Sequence, residues 1–132
     1  MAKAEVTKVF TFDAAHQLPN HHGKCRNLHG HTYRLEVSCF GTVVTDDTAS
    51  DHGMVVDFDM VKQVWKAWLE PLLDHKFLNE TVPVDYHPTT AENLSRFIMD
   101  KFQEAADGAF DVVQVVLYET PTSKVRVIQG WT

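Results

Sequence analysis

From His31 to Gly41 every second residue is apolar: Tyr33, Leu35, Val37 and Cys39 alternate with a face that carries Arg34 and Glu36. Successive side chains of a strand point to opposite sides of its sheet, so this period specifies a β-strand with one buried face. Val6 to Ala14, with Val9, Phe10 and Phe12 among Thr and Lys, reads as a strand before it, and Pro19-Asn20-His21-His22-Gly23 as the loop between them. Val112 to Glu119 and Lys124 to Gly130 read as two closing strands, joined at hairpin length by Thr120-Pro121-Thr122-Ser123.

Between the strand pairs the period changes. Residues Thr45 to Gly53 are polar and loop-like, and a short apolar segment, Met54 to Phe58, leads into a helix. Phe58, Val61, Val64, Trp65, Trp68, Leu69 and Leu72 recur at helical spacing, with Asp57 or Asp59 able to cap the start. Pro71 is expected to kink or end that helix, because it donates no amide hydrogen and crowds the preceding turn. A second helix opens at Pro88-Thr89-Thr90-Ala91-Glu92, where Thr89 and Glu92 have capping-box spacing; Leu94, Phe97, Ile98 and Phe102 form its stripe and Gly108 lies just past its end. The order ββααββ predicts an α+β fold, a four-stranded antiparallel sheet with both helices on one face.

At 132 residues, 44% hydrophobic and 23% charged, the chain suits one soluble domain over residues 1–132. Its formal net charge of −6 argues against nucleic acid or an anionic membrane as partner. No signal-like run follows Met1 and no stretch nears the ~20 apolar residues of a membrane span, so the expected location is the cytoplasm. Cys25 and Cys39 are accordingly expected to be reduced, Cys39 as a small buried hydrophobe.

The chemistry concentrates between His16 and His31. His29 and His31, two apart in a strand, project from one face and can aim at one point; His16, at the end of the preceding strand, can supply a third imidazole. Three neutral imidazoles suit Zn²⁺ and leave a fourth position for water or substrate, which is the pattern of a catalytic site. The alternative is a closed structural site with Cys25 as the fourth ligand. Asp74-His75 offers a second feature, since a carboxylate beside an imidazole sets its tautomer; equally, Asp74 could cap a helix end and His75 pack on Phe77. Glu119, ending an apolar strand, is either an exposed charge or an anchor that accepts two hydrogen bonds from a guanidine-like heterocycle edge.

Six segments together, Phe12-Asp13-Ala14-Ala15-His16, Cys25 to His31, Val56-Asp57-Phe58, Leu73-Asp74-His75, Pro88 to Asn93 and Leu117-Tyr118-Glu119-Thr120, resemble the 6-pyruvoyltetrahydropterin and 6-carboxytetrahydropterin synthase family. Three residues separate Cys25 from His29, an interval similar to that of the bacterial 6-carboxytetrahydropterin branch of queuosine biosynthesis. The resemblance implies a tunnelling fold whose strands assemble into a barrel, commonly a homohexamer of two trimers with active sites between subunits. It implies 7,8-dihydroneopterin triphosphate as substrate, and 6-carboxy-5,6,7,8-tetrahydropterin, acetaldehyde and triphosphate as products. By the same resemblance His16, His29 and His31 match the zinc ligands, Cys25, Asp74 and His75 the catalytic group, and Glu119 the pterin anchor, with Thr89 and Thr90 as further pterin contacts. Many relatives carry Arg after the first histidine; here the residue is Gln17, so Lys24 or Arg26 would have to hold phosphate.

Overall fold

The computed structural model describes residues 1–131; Thr132, the last residue of the expected domain, lies outside the described residues. Two long strands, β1 (Lys3–His16) and β2 (His29–Thr42), pair antiparallel along their full length, from Lys3 opposite Thr42 to His16 opposite His29. β4 (Val112–Thr120) and β5 (Ser123–Ile128) form the second hairpin. The sheet has five strands, not four. A two-residue strand, β3 (Lys76–Phe77), adds in parallel to β1 at Ala14 and Ala15, giving the order β3-β1-β2-β4-β5. Two residues carry no readable period, and the backbone of Ala14 and Ala15 is what recruits them.

The helical layer packs on one face of the sheet. Helix α1 (Phe58–Val64) is capped by Asp57, whose carboxylate accepts from the Asp59 amide. Just before Pro71, residues Trp65–Leu69 form a π-helical turn that runs on into α2 (Glu70–Leu73), with Pro71 in its first turn, and the helix ends two residues beyond the proline. Proline lacks the N–H that an ordinary helical turn uses, and the irregular turn falls just before it. A one-turn helix, α3 (Leu78–Thr81), and the long α4 (Ala91–Ala106) complete the layer. The α4 cap corrects the capping box by one position: Thr90, not Thr89, accepts from the Asn93 amide, so Glu92 is not the residue that closes the box.

Burial of one sheet face against these helices builds the core. Phe10 stacks on Trp65 at 4.8 Å between ring centroids, Phe12 on Tyr33 at 4.8 Å, and Leu35, Leu69, Leu94, Ile98, Phe102 and Leu117 are fully buried. Fully burying each such side chain contributes roughly 1.5–3 kcal/mol. The outer face carries hydrogen-bonded and charged side chains, including Thr7 with Ser38 and Arg34 with Glu36, along with exposed Val9 and Phe40. Among the described residues no helix is long and apolar enough to cross a membrane.

Candidate functional site

The core-facing row of β1 and β2 ends in polar residues. Phe12 lies opposite Tyr33, Ala14 opposite His31 and His16 opposite His29, so the alternation that buries the aromatic pair carries three imidazoles to the end of the same face. One nitrogen of each lies within 4.8 Å of the others. His16 is buried and the other two half-buried.

Their hydrogen bonds select the nitrogen offered. His16 Nδ1 lies 2.7 Å from the Thr89 carbonyl oxygen and His29 Nδ1 2.8 Å from that of Asn27. A carbonyl only accepts, so both Nδ1 atoms carry hydrogen and, in the neutral rings, both Nε2 atoms present lone pairs. Those two Nε2 atoms face each other at 3.0 Å, and the buried His31 Nε2 has no hydrogen-bond partner among the described residues. Two converging lone pairs and the unpartnered His31 nitrogen fit a cation. Burial, the leading cause, holds His16 and His31 below the ordinary histidine range; the Thr89 carbonyl opposes it at His16 and Glu119 at His31. The neutral state this favours is the state that ligates a metal. His31 Nε2 lies 3.7 Å from Glu119 Oε1.

Cys25 Sγ is not among the atoms that converge here, which separates the geometry from a closed four-ligand site. Cys25 lies half-buried on a single 3-10 turn, Lys24–Arg26, whose carbonyl at Cys25 accepts from the Leu18 amide at 2.7 Å.

Glu119 stands beside a split in the sheet. β1 and β2 stay paired to their ends, but β2 and β4 pair only as far as Arg34 opposite Tyr118. Beyond that rung the strands leave a cavity of about 670 Å³, lined by His31, Tyr33, Arg34, Tyr118, Glu119 and neighbours. Tyr33 has no exposed surface, and burial first, the Glu119 charge second, push its hydroxyl up, so it keeps its proton. The sequence assigned Tyr33 to the core by its alternation; its orphaned hydroxyl has no sequence signal.

Asp74 and His75 lie on the other side of His31. A second cavity, of about 550 Å³, is lined by Asp13, His31, Thr32, His75 and Phe77, so His31 borders both. His75 Nδ1 lies 3.0 Å from Asp74 Oδ2, while the Asp13 amide donates to Asp74 Oδ1 at 3.0 Å and the Asp13 carbonyl accepts from the His75 amide at 2.6 Å. Asp13 thus clamps both residues from β1 and holds His75 at a left-handed φ of 58°. The Asp13 amide, the larger influence, and His75 hold the Asp74 carboxyl below its usual range. His75 does not pack on Phe77 as a core residue, because its side chain is 77% exposed.

Thr89 and Thr90 have internal partners. Thr89 is buried, with its carbonyl on His16 and its hydroxyl 3.3 Å from Asn79 Oδ1; Thr90 caps α4. Thr89 meets the histidine cluster at His16 whereas Glu119 meets it at His31. Asn79, not singled out in the sequence, also exchanges two hydrogen bonds with the Gln17 backbone and so fixes the chain just after His16.

An α+β sheet ends in three inward imidazoles that could hold a metal ion, with a carboxylate and a carboxylate–imidazole pair on flanking cavities of small-molecule size. The family profile described as 6-pyruvoyl tetrahydropterin synthase matches residues 5–129, and the chain belongs to that family. The 6-carboxy-5,6,7,8-tetrahydropterin synthase of Synechocystis sp. is 41% identical over 128 residues, covering 92% of this chain and 90% of its own. The Haemophilus influenzae protein of the same name is 33% identical over 138 residues, covering 90% and 94%. Among solved structures, Caenorhabditis elegans 6-pyruvoyl tetrahydropterin synthase superposes with a TM-score of 0.83 at 27% identity, over 97% of this chain and 96% of that one. The relatives are tetrahydropterin synthases, and this chain carries their fold over nearly its whole length.

Proposed function

We propose that this protein is a 6-carboxy-5,6,7,8-tetrahydropterin synthase, acting on 7,8-dihydroneopterin triphosphate in queuosine biosynthesis. The observation that carries the reading is the convergence of His16, His29 and His31 at the edge of the Glu119 cavity, in a chain 41% identical to a synthase of that name. The products are 6-carboxytetrahydropterin, acetaldehyde and triphosphate, with one water consumed. Two hydrogens gained by the ring balance those lost by the side chain, so no external reductant enters.

The residues present fit zinc: three imidazoles converge, two of them oriented through Nδ1–H by carbonyls, and His31 Nε2 is otherwise orphaned. Bound by His16, His29 and His31, zinc would supply Lewis acidity toward the side-chain oxygens of the substrate. Glu119 accepts hydrogen bonds from adjacent N–H groups of the pterin and orients the ring. Asp74 fixes His75 through Nδ1, leaving Nε2 of that ring to move a proton at the substrate side chain. Cys25 is the second proton carrier, and its separation from the histidine nitrogens suits a group facing substrate.

His75 is largely exposed and Cys25 sits on a separate turn, so this reading includes cover from further copies of the chain, as a homohexamer of two trimers in the cytoplasm. Thr89 and Thr90 remain proposed pterin contacts in addition to their internal roles. Lys24 and Arg26, both exposed beside Cys25, are the cations proposed to replace an arginine at Gln17 in holding triphosphate.

A second reading, 6-pyruvoyltetrahydropterin synthase activity, is favoured by the Dictyostelium discoideum 6-pyruvoyl tetrahydrobiopterin synthase, 41% identical over 93 residues that cover 69% of this chain and 65% of its own. Incubation with 7,8-dihydroneopterin triphosphate and mass analysis separates the two. Acetaldehyde with a carboxypterin supports the first; a product that keeps the three-carbon side chain supports the second.

A further inference from the structure

The Tyr33 hydroxyl is a buried polar group that the functional reading does not use. Tyr33 is fully buried, its ring stacked on Phe12 at 4.8 Å and set edge-on to His31 at 5.5 Å, yet its oxygen has no hydrogen-bond partner among the described residues. Buried hydroxyls are rarely left unpaired, so one on a residue that lines a cavity calls for a partner. Tyr33 lines the split between β2 and β4 together with Glu119 and His31, one residue beyond the last paired rung, Arg34 opposite Tyr118.

Glu119 and Tyr33, two of the polar residues that line this cavity, complement each other. An ionised carboxylate such as Glu119 only accepts, whereas a phenol can donate. A heterocycle edge that places N–H groups beside a ring carbonyl needs both kinds of partner. We propose that the Tyr33 hydroxyl donates a hydrogen bond to the ring carbonyl of a bound amino-oxo heterocycle whose N–H groups are held by Glu119. This deepens the proposed pterin-binding function and rests on it. It makes Tyr33 a specificity-determining residue: removal of the donor leaves the N–H contacts intact and abolishes preference for the carbonyl.

The test uses zinc-loaded protein, the Tyr33→Phe variant and two fluorescent probes. One is pterin; the other is 4-thiopterin, which keeps the N–H edge but replaces the carbonyl oxygen with sulfur, a weaker acceptor. Phe retains the ring and its stacking, and an unchanged melting temperature and zinc content verify a native variant. The wild type is expected to bind pterin about tenfold more tightly than 4-thiopterin, the scale of one lost hydrogen bond, and Tyr33→Phe to bind both within about twofold of each other. A variant that keeps the wild-type preference overturns the proposal, as does one that weakens both probes equally, which marks a structural role. Failure of wild-type protein to bind pterin at all overturns the functional reading along with it, an outcome distinct from the other two.

Discussion

The histidine cluster and the Asp74–His75 pair share the wall formed by His31, yet they are built in opposite ways. His16 and His29 are held by carbonyls at 2.7 and 2.8 Å, and the third imidazole of the cluster, His31, leaves 16% of its side chain exposed; His75 leaves 77% exposed on a left-handed backbone. The first arrangement is fixed by hydrogen bonds and brings its three imidazoles together within one chain. The second is fixed only from below, by the Asp13 backbone, and open above. A metal site needs preset geometry, whereas a proton-transfer group must meet a substrate that enters and leaves, so the contrast matches the roles proposed for the two regions.

The largest effect should come from the histidine cluster. His29→Ala is expected to lose bound metal and to lower turnover on the order of 10³-fold or more, the scale of removing metal assistance. Because the aromatic core lies beneath the cluster and does not need it, the variant and chelator-treated protein should keep native circular dichroism. Unfolding on chelation would instead make the site structural.

A smaller loss is expected in the open region. His75→Asn, whose side chain tolerates the left-handed backbone, should lower kcat by about 10²–10⁴-fold with zinc content unchanged and stability within about 0.5 kcal/mol of wild type. Loss of metal in this variant would erase the distinction between the two regions.

The α4 cap separates fold from function. Thr90→Ala should cost about 1 kcal/mol in denaturant unfolding, while Glu92→Ala, outside any capping box, should cost little. A rise in KM for Thr90→Ala beyond the stability change supports its pterin contact.

Smallest of all is the acid limb of stability. The Asp74 carboxyl is held below its unfolded value of about 3.9, so its stabilising contribution is present above that pH and fades as pH falls through the lower folded value. Asp74→Asn should flatten the acid side of the stability curve slightly. No change below about pH 4 would show that the Asp13 amide contact does not persist in solution.

Much of this arrangement is legible in the sequence because it follows local periods. Alternation through Tyr33 to Cys39 places β2, and its continuation toward His29 puts two imidazoles on the buried face. What escaped depends on distant backbone. β3 is two residues long, and the Asp13 clamp joins groups 61 positions apart. The cap fell one residue late because adjacent threonines offer the same hydroxyl, and the buried Thr89 is already committed to His16 and Asn79. The π-turn before Pro71 had no sequence signal either, since Trp65, Leu69 and Leu73 are buried through it at spacings an ordinary helix would also give.

X-ray absorption at the zinc edge of the loaded protein tests the central claim most directly. The account predicts histidine nitrogens at about 2.0–2.1 Å and no sulfur shell, with Cys25 free to react with a thiol reagent while metal stays bound. A sulfur at about 2.3 Å that disappears in Cys25→Ser would close the fourth position and contradict it.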